Sequence, residues 1–132
     1  MNKIKICKTK SDQVLTVADS SAITQVIVNL LINSIYAMKT GGQIDVATIR
    51  TPDWAEIQIR DYGPGIPKEI LANVTQAFFT TKGDEGTGLG LSICKEIIEI
   101  EHEGKFQVTN HHIKGVIATI RLPLPSSKAE DL

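Results

Sequence analysis

Three glycines at alternate positions mark the first candidate site, in the segment Gly86-Thr87-Gly88-Leu89-Gly90. An amphipathic run follows directly, so the segment is expected to open a helix. Glycine leaves backbone N–H groups uncovered, and the positive end of a helix dipole attracts anions. The segment therefore predicts a phosphate site, although a loop that merely reverses the chain would have a similar composition.

Two asparagines and a tyrosine, Asn29, Asn33 and Tyr36, fall on one stripe of a predicted helix. Asparagine is a poor helix former, so two of them one turn apart in an apolar segment require a compensating role. One alternative is that an amide caps a loop or bonds a neighbouring backbone. The other is that the amide oxygens face a pocket as neutral ligands, which suits Mg²⁺ when water and phosphate fill most of its shell.

Asp61 is expected at the end of a strand, where a glycine turn begins. Its carboxylate can accept a hydrogen bond from the amino group of a base, and Gly63 and Gly65 let a flat ring approach the backbone. An aspartate before glycine is also an ordinary turn signal, so this motif alone carries little weight.

The surrounding pattern predicts the elements that position these residues. Two strands are expected over 4–6 and 14–17, joined by a polar turn at 8–12, and a helix over 21–39 follows, capped by Asp19 or Ser20 and ended by Gly41-Gly42. The next elements are a hairpin over 43–50 and 54–60, a short helix from 68 to about 73 and an irregular segment over 74–86. A helix from 90 to about 102 and a hairpin over 105–110 and 115–122 complete the prediction. This order predicts an α+β fold with helices on one face of a largely antiparallel sheet and a polar opposite face.

Composition sets the outer limits. The chain has 132 residues, enough for one domain with its own core, and its net charge of −1 gives no global field towards nucleic acid or an anionic membrane. We find no apolar run long enough to span a bilayer and no signal-peptide pattern, which predicts a cytoplasmic location without membrane contact by this domain, either as a cytoplasmic protein or as the cytoplasmic part of a membrane-bound sensor. Cys7 and Cys94 have no close-spaced partner, so we expect small buried side chains and neither a disulfide nor zinc.

Four segments together resemble a known set of motifs. They are NLLINS at 29–34, similar to an N box, DYGPGI at 61–66, similar to a G1 box, FFTTK at 78–82, similar to an F box, and GTGLGL at 86–91, similar to a G2 box. In this order and at this separation they resemble the catalytic, ATP-binding domain of bacterial sensor histidine kinases. That domain shares the Bergerat fold with gyrase, heat-shock chaperone and mismatch-repair ATPases.

The resemblance implies a two-layer α/β sandwich with a mixed, mostly antiparallel sheet over residues 1–123, followed by a polar tail at 124–132. It implies that Asp61 binds the adenine amino group, that Gly65 lines the ring and that Asn33 ligates Mg²⁺. The segment at about 67–86 would be the ATP lid, with Phe79 as its apolar latch. The full implied ATP-binding set is Asn29, Asn33, Asp61, Gly63, Gly65, Ile66, Phe79, Thr80, Thr81, Lys82, Gly86, Thr87, Gly88, Leu89 and Gly90, with Asn29 and Lys82 as catalytic residues.

The reaction implied depends on position 29. ATPase branches of the family place a glutamate there to activate water, whereas this chain has Asn29, and an amide cannot serve as that base. Phosphoryl transfer to a histidine on a separate helical dimerisation domain, and then to a response regulator receiver domain, is therefore preferred. An ATP hydrolase and a non-catalytic nucleotide-sensing module remain as alternatives. The domain alone is expected to be a monomer, and His102, His111 and His112 are expected to be surface residues.

Two departures from the resemblance stand out. The stretch 99–104 carries what looks like one extra residue where relatives have a His-Gly-Gly turn, which places the following hairpin in question. Tyr36 occupies a position where some sensor kinases have a basic residue that points at phosphate, so that contact is expected to be absent or supplied by Lys82.

Overall fold

Five strands form one mixed sheet in a computed structural model that describes residues 4–11, 16, 18–71 and 90–125. The elements are β1 (Ile4–Ser11), α1 (Ser20–Ala37), β2 (Gly42–Arg50), β3 (Trp54–Asp61), α2 (Lys68–Leu71), α3 (Gly90–Lys95) with a π-helical continuation (Glu96–Glu101), β4 (Lys105–Asn110) and β5 (Val116–Pro123). The strand order is β1-β2-β3-β5-β4; β1 is parallel to β2, and the other neighbouring pairs are antiparallel. The predicted α+β class and the mixed, mostly antiparallel sheet are confirmed.

β1 corrects the first part of the sequence prediction. The expected turn at 8–12 is wrong, because the strand continues through Lys8 to Ser11 with one irregularity in its pairing between Lys8 and Lys10. These polar side chains are exposed on an edge strand, where backbone pairing with β2 suffices to hold them. The second strand expected at 14–17 falls almost wholly outside the described residues.

α1 begins and ends close to the predicted positions. Asp19 caps it, since its Oδ1 accepts hydrogen bonds from the N–H groups of Ser21 at 3.0 Å and Ala22 at 3.3 Å. By length and composition α1 could cross a membrane, which the sequence prediction overlooked. The core helix of a soluble protein passes the same test, and α1 buries Val26 and Leu30 in the core.

The core lies between the helices and one face of the sheet. Its most deeply buried members are Val26, Ile44, Ile59, Cys94, Ile98 and Ile120. The opposite face is polar, as the alternation in β3 predicts. There the Glu56 carboxylate accepts hydrogen bonds at 2.8 Å from Arg121 of β5 and from Gln58 of its own strand, although Glu56 is only 6% exposed.

The helix that begins at Gly90 changes from α-helical to π-helical at Glu96. A π turn accommodates one more residue than an α turn. The hairpin that follows is regular from Lys105, opposite Arg121, to Asn110, opposite Val116. The hairpin that the stretch 99–104 had placed in question is therefore present and regular.

His102 is a structural link between the two long helical segments. Its Nε2 accepts a hydrogen bond from the Asp19 N–H at 3.0 Å, and its Nδ1 lies 2.8 Å from the Ile97 carbonyl oxygen, to which it donates. The ring is half-buried. His102 is partly exposed, as the prediction of a surface residue requires, and its ring also joins the end of the π-helical segment to the start of α1.

Candidate functional site

Asp61 ends β3 as a buried carboxylate that is only 4% exposed. Its Oδ1 accepts hydrogen bonds from two main-chain N–H groups, those of Gly63 at 2.9 Å and Val116 at 3.2 Å. Within the described residues no hydrogen bond reaches Oδ2. One oxygen of the carboxylate is thus fixed by the backbone, and the other can accept a hydrogen bond from a ligand.

The glycine turn after Asp61 packs against the C-terminal end of α1. A Cβ atom added at Gly63 would lie 3.3 Å from the Ala37 carbonyl oxygen. Gly65 has a φ of +84°, a conformation that favours glycine. The turn therefore needs small residues at both positions; Gly63 is buried, whereas Gly65 is partly exposed.

The asparagine stripe of α1 runs along the start of α3. The amide nitrogen of Asn33 would lie 3.9 Å from a Cβ atom added at Gly90, the first residue of α3. One turn earlier on α1, Asn29 forms a side-chain hydrogen bond with the thiol of Cys94, one turn further along α3. The two helices therefore pass each other in opposite directions, with both asparagines and Gly90 along their line of contact.

The Cys94 thiol is fully buried at this contact. Burial raises its pKa to about 11, although the hydrogen bond from Asn29 acts in the opposite direction. The thiol itself donates a hydrogen bond to the Val26 carbonyl oxygen of α1 at 3.8 Å. Asn29 thus interacts with a side chain and not with a neighbouring backbone, and the ligand role of the stripe stays a prediction.

The two halves of the candidate site meet through α1. Ala37, which touches the glycine turn, lies one helical turn after Asn33, which faces Gly90. The aspartate and its glycine turn, the asparagine stripe and the start of α3 therefore adjoin one end of the same helix. The other predicted site residues, Phe79, Thr80, Thr81, Lys82, Gly86, Thr87, Gly88 and Leu89, lie outside the described residues.

The donor chemistry near α3 is neutral. Among the described residues, no group of three or more His, Cys, Asp or Glu side chains could hold a metal ion. Amide oxygens from the stripe would leave most positions around a cation to water and phosphate, which fits the coordination that Mg²⁺ prefers. The residues present therefore fit Mg²⁺ bound with a nucleotide and do not form an all-protein metal cage.

Several residues around Asp61 were not predicted. Gly115 adopts a φ of +89° and leaves no space for a side chain, since an added Cβ atom would lie 1.8 Å from the Asp61 carbonyl oxygen. Tyr62 points to the opposite face, where its hydroxyl donates to the carboxylate of Asp45 and raises the Tyr62 pKa. The Arg60 guanidinium covers the Tyr62 ring at 4.0 Å from its centre. Of these features, only the role of Gly115 had a signal in the sequence, because Gly115 directly precedes a β-branched run.

Comparisons with known proteins agree with this arrangement. The family model described as histidine kinase-, DNA gyrase B-, and HSP90-like ATPase matches residues 18–126. The solved catalytic domain of histidine kinase ThkA is 36% identical, with a TM-score of 0.82, over 92% of this chain and 80% of that chain. The chain belongs to this ATPase family. Its domain is the ATP-binding catalytic domain of the sensor histidine kinase type.

Two further relatives are longer than this chain. Sporulation kinase C of Bacillus subtilis (strain 168) is 36% identical over 117 residues, which cover 89% of this chain and 27% of the relative. A crystal structure of ThkA in complex with the response regulator protein TrrA matches at 33% identity and a TM-score of 0.76, over 92% of this chain and 34% of that chain. The chain thus spans about a quarter to a third of these longer relatives.

Proposed function

We propose that this chain is the phosphoryl-donor domain of a two-component histidine kinase. It binds ATP and transfers the γ-phosphoryl group to a histidine on a separate helical dimerisation domain. In this step the bond between the β–γ bridging oxygen and the γ-phosphorus breaks, a bond from a ring nitrogen to that phosphorus forms, and ADP leaves. The histidine then passes the group to an aspartate of a response regulator receiver domain.

Asn29 is the observation that carries this proposal. The hydrolytic branches of the family are expected to have a glutamate at this position, where it would take the proton of an attacking water. An amide has no comparable basicity near neutral pH, so water attack is disfavoured and a separate nucleophile is favoured. The contact between Asn29 and the Cys94 thiol supports a positioning role for this amide and does not supply a base.

The remaining roles are those that the resemblance implies, and the positions of Asp61, the asparagine stripe and Gly90 support them. Asp61 Oδ2 accepts a hydrogen bond from the adenine amino group, and Gly63, Gly65 and Ile66 line the ring. Asn33 and Asn29 would hold Mg²⁺, which supplies neutralisation of phosphate charge when bound. Gly86, Gly88 and Gly90 bind the phosphates, with Lys82 at the terminal one. The lid extends over about 67–86.

The extent, location and partners belong to the same proposal. The domain ends near residue 123, where β5 ends at Pro123. The helical acceptor domain and the response regulator lie in the cytoplasm with it. The complex of ThkA with TrrA supports a response regulator as the eventual acceptor.

The proposal is tested by mixing the chain with γ-labelled ATP, Mg²⁺ and the helical acceptor domain of a related sensor kinase such as sporulation kinase C. We expect label on the acceptor histidine, identified by its stability to alkali and loss in acid. An acceptor domain without its histidine is the control. Rapid release of free phosphate without the acceptor would identify a hydrolase, and nucleotide binding without transfer or release would identify a sensing module.

A further inference from the structure

The side chain of Asn110, at the end of β4, forms two hydrogen bonds with the main chain of one residue of the glycine turn. Its Oδ1 accepts a hydrogen bond from the Ile66 N–H at 2.8 Å, and its Nδ2 donates to the Ile66 carbonyl oxygen at 2.7 Å. The two residues are 44 positions apart in the chain. A single amide thus satisfies both main-chain groups of Ile66, as a neighbouring strand would.

The same hairpin also holds the other end of the turn. The Val116 N–H, at the start of β5, donates to Asp61 Oδ1 at 3.2 Å. The segment 61–66 is therefore attached to the β4–β5 hairpin at its first and last residues. Between them lies the sequence Gly-Pro-Gly, whose glycines give the turn conformational freedom that these contacts restrict.

Gly65 lies directly against this contact. A Cβ atom added at Gly65 would be 3.0 Å from Asn110 Oδ1. The position of the Gly65 backbone, which is proposed to line the adenine ring, is therefore set by Asn110. Asp61 is held independently, by the N–H groups of Gly63 and Val116.

We infer that Asn110 is a positioning residue that contributes to selectivity for adenine. It holds Gly65 and Ile66 in the position that lets a purine ring meet the Asp61 carboxylate. This inference rests on the proposed function. When Asn110 is absent, the far end of the turn can move, and the ring loses its alignment with Asp61. ATP then loses the hydrogen bond from its amino group, whereas inosine triphosphate, which presents a carbonyl oxygen there, has no such bond to lose.

The test is calorimetric titration of the chain with non-hydrolysable analogues of ATP and of inosine triphosphate in the presence of Mg²⁺. For Asn110→Ala we expect the Kd of the ATP analogue to rise by about three- to ten-fold, the effect of losing about one hydrogen bond. The Kd of the inosine analogue should change by less than about two-fold on the same reasoning. The Kd of the inosine analogue divided by the Kd of the ATP analogue, which measures selectivity for adenine, should therefore fall.

Two further variants make the result specific. Asn110→Asp has the same shape and can still accept from the Ile66 N–H, but it cannot donate to the Ile66 carbonyl oxygen, so we expect the same fall in the ratio. Gln107→Ala removes an amide from the exposed side of the same strand and should leave both affinities unchanged. Asn110 is itself exposed, so its truncation leaves no buried cavity, and the unfolding temperature checks that the variant is folded.

Equal weakening of both nucleotides in Asn110→Ala would overturn the inference, because the amide would then support the site without aligning the base. Unchanged affinity for both nucleotides would overturn it as well. Failure of the unaltered chain to bind the ATP analogue would instead defeat the proposed function. That result is distinguishable because it does not depend on Asn110.

Discussion

The two oxygens of the Asp61 carboxylate have different roles: one holds the turn, and the other is proposed to bind the ligand. Oδ1 is occupied by two backbone N–H groups, and within the described residues Oδ2 accepts no hydrogen bond. A carboxylate that accepts such bonds loses little freedom when a base arrives, because its rotation is already restricted. The contact proposed for adenine is therefore pre-organised by the main-chain N–H groups of Gly63 and Val116.

Asp61→Asn is predicted to weaken ATP binding by about ten-fold or more, since a hydrogen bond to a charged group contributes about 1.5–3 kcal/mol. The amide can keep the Oδ1 contacts and so preserve the turn, but it presents an N–H group to the adenine amino group. Calorimetry with a non-hydrolysable ATP analogue measures the change. An unchanged Kd would remove Asp61 from the adenine site.

Asn33→Ala is predicted to abolish the Mg²⁺ dependence of nucleotide binding while the fold remains intact. The physical reason is the loss of the Asn33 amide, whose oxygen is the proposed Mg²⁺ ligand and whose nitrogen lies beside the first residue of α3. Titration of the ATP analogue with and without Mg²⁺ tests this, with circular dichroism as the check on folding. If Asn33→Ala retained the full effect of Mg²⁺, the proposed ligand would be wrong.

The buried Cys94 thiol predicts a pH dependence of stability. Its pKa of about 11 in the folded chain exceeds the ordinary value of 9.0, so the folded state holds the proton more tightly. This contribution, about 3 kcal/mol, is fully present below pH 9 and is lost as the pH rises from 9 through about 11. Urea unfolding between pH 8 and about 11 should show a shallower decline for Cys94→Ala than for the unaltered chain. Parallel curves for the two proteins would contradict the prediction.

At the scale of the elements, α1 and α3 are joined at two places. The asparagine stripe meets the start of α3, and His102 connects the end of the π-helical segment to Asp19 at the start of α1. The turn after His102 is tight. Glu103 has a φ of +56°, and Gly104 donates its N–H to the Ile98 carbonyl oxygen at 2.8 Å.

Neighbouring substitutions in this turn should act in opposite directions. Gly104→Ala would place a Cβ atom 2.1 Å from the Arg121 carbonyl oxygen, and we expect a loss of at least about 2 kcal/mol in the free energy of unfolding. Glu103→Gly should raise it by about 0.5 kcal/mol, because glycine relieves the left-handed conformation at some cost in chain entropy. Urea unfolding measures both. A destabilised Glu103→Gly would mean that side-chain contacts of Glu103 outweigh its backbone strain.

The sequence was sufficient for the elements whose signals are local. α1 follows from its apolar period and from Asp19 as a cap, and the β2–β3 hairpin follows from alternation on both sides of a Pro-Asp turn. The straight course of β1 was missed because its second half is polar, and only pairing with β2 identifies it as a strand. The π-helical segment was missed because Ile97, Ile98 and Ile100 suit an α-helix equally well.

The candidate site was predictable where a motif names its residue. Asp61, Asn29 and Asn33 follow from residue type and spacing, and Asp61 and Asn33 do lie at one end of α1. The hydrogen bonds between Asn110 and Ile66 could not be predicted, because they join residues 44 positions apart and involve only the main chain of Ile66. Pairings of that kind leave no periodic signal in the sequence.

For the whole molecule, the topology sets an order of local stability. Within the part of the chain that the structure describes, β1 pairs only with β2 at one edge of the sheet, whereas β3 is central and pairs with β2 and β5. An edge strand with exposed lysines opens at lower free energy than a central one. We predict that amide protons of β1 exchange with solvent at least about ten-fold faster than those of β3 in native-state hydrogen exchange. Equal protection of both strands would indicate that β1 opens only with the whole sheet.

The use of main-chain groups around Asp61 also determines which substitutions the site tolerates over evolutionary time. Val116 holds the carboxylate through its N–H alone, so its side chain is free to vary among residues that suit a strand. Gly115 has no such freedom, because any Cβ atom there would overlap the Asp61 backbone. A library of variants selected for ATP binding should thus tolerate many substitutions at position 116, except proline. Almost no substitutions should be tolerated at positions 115 and 61, so the neighbouring positions 115 and 116 should differ sharply in sequence variability.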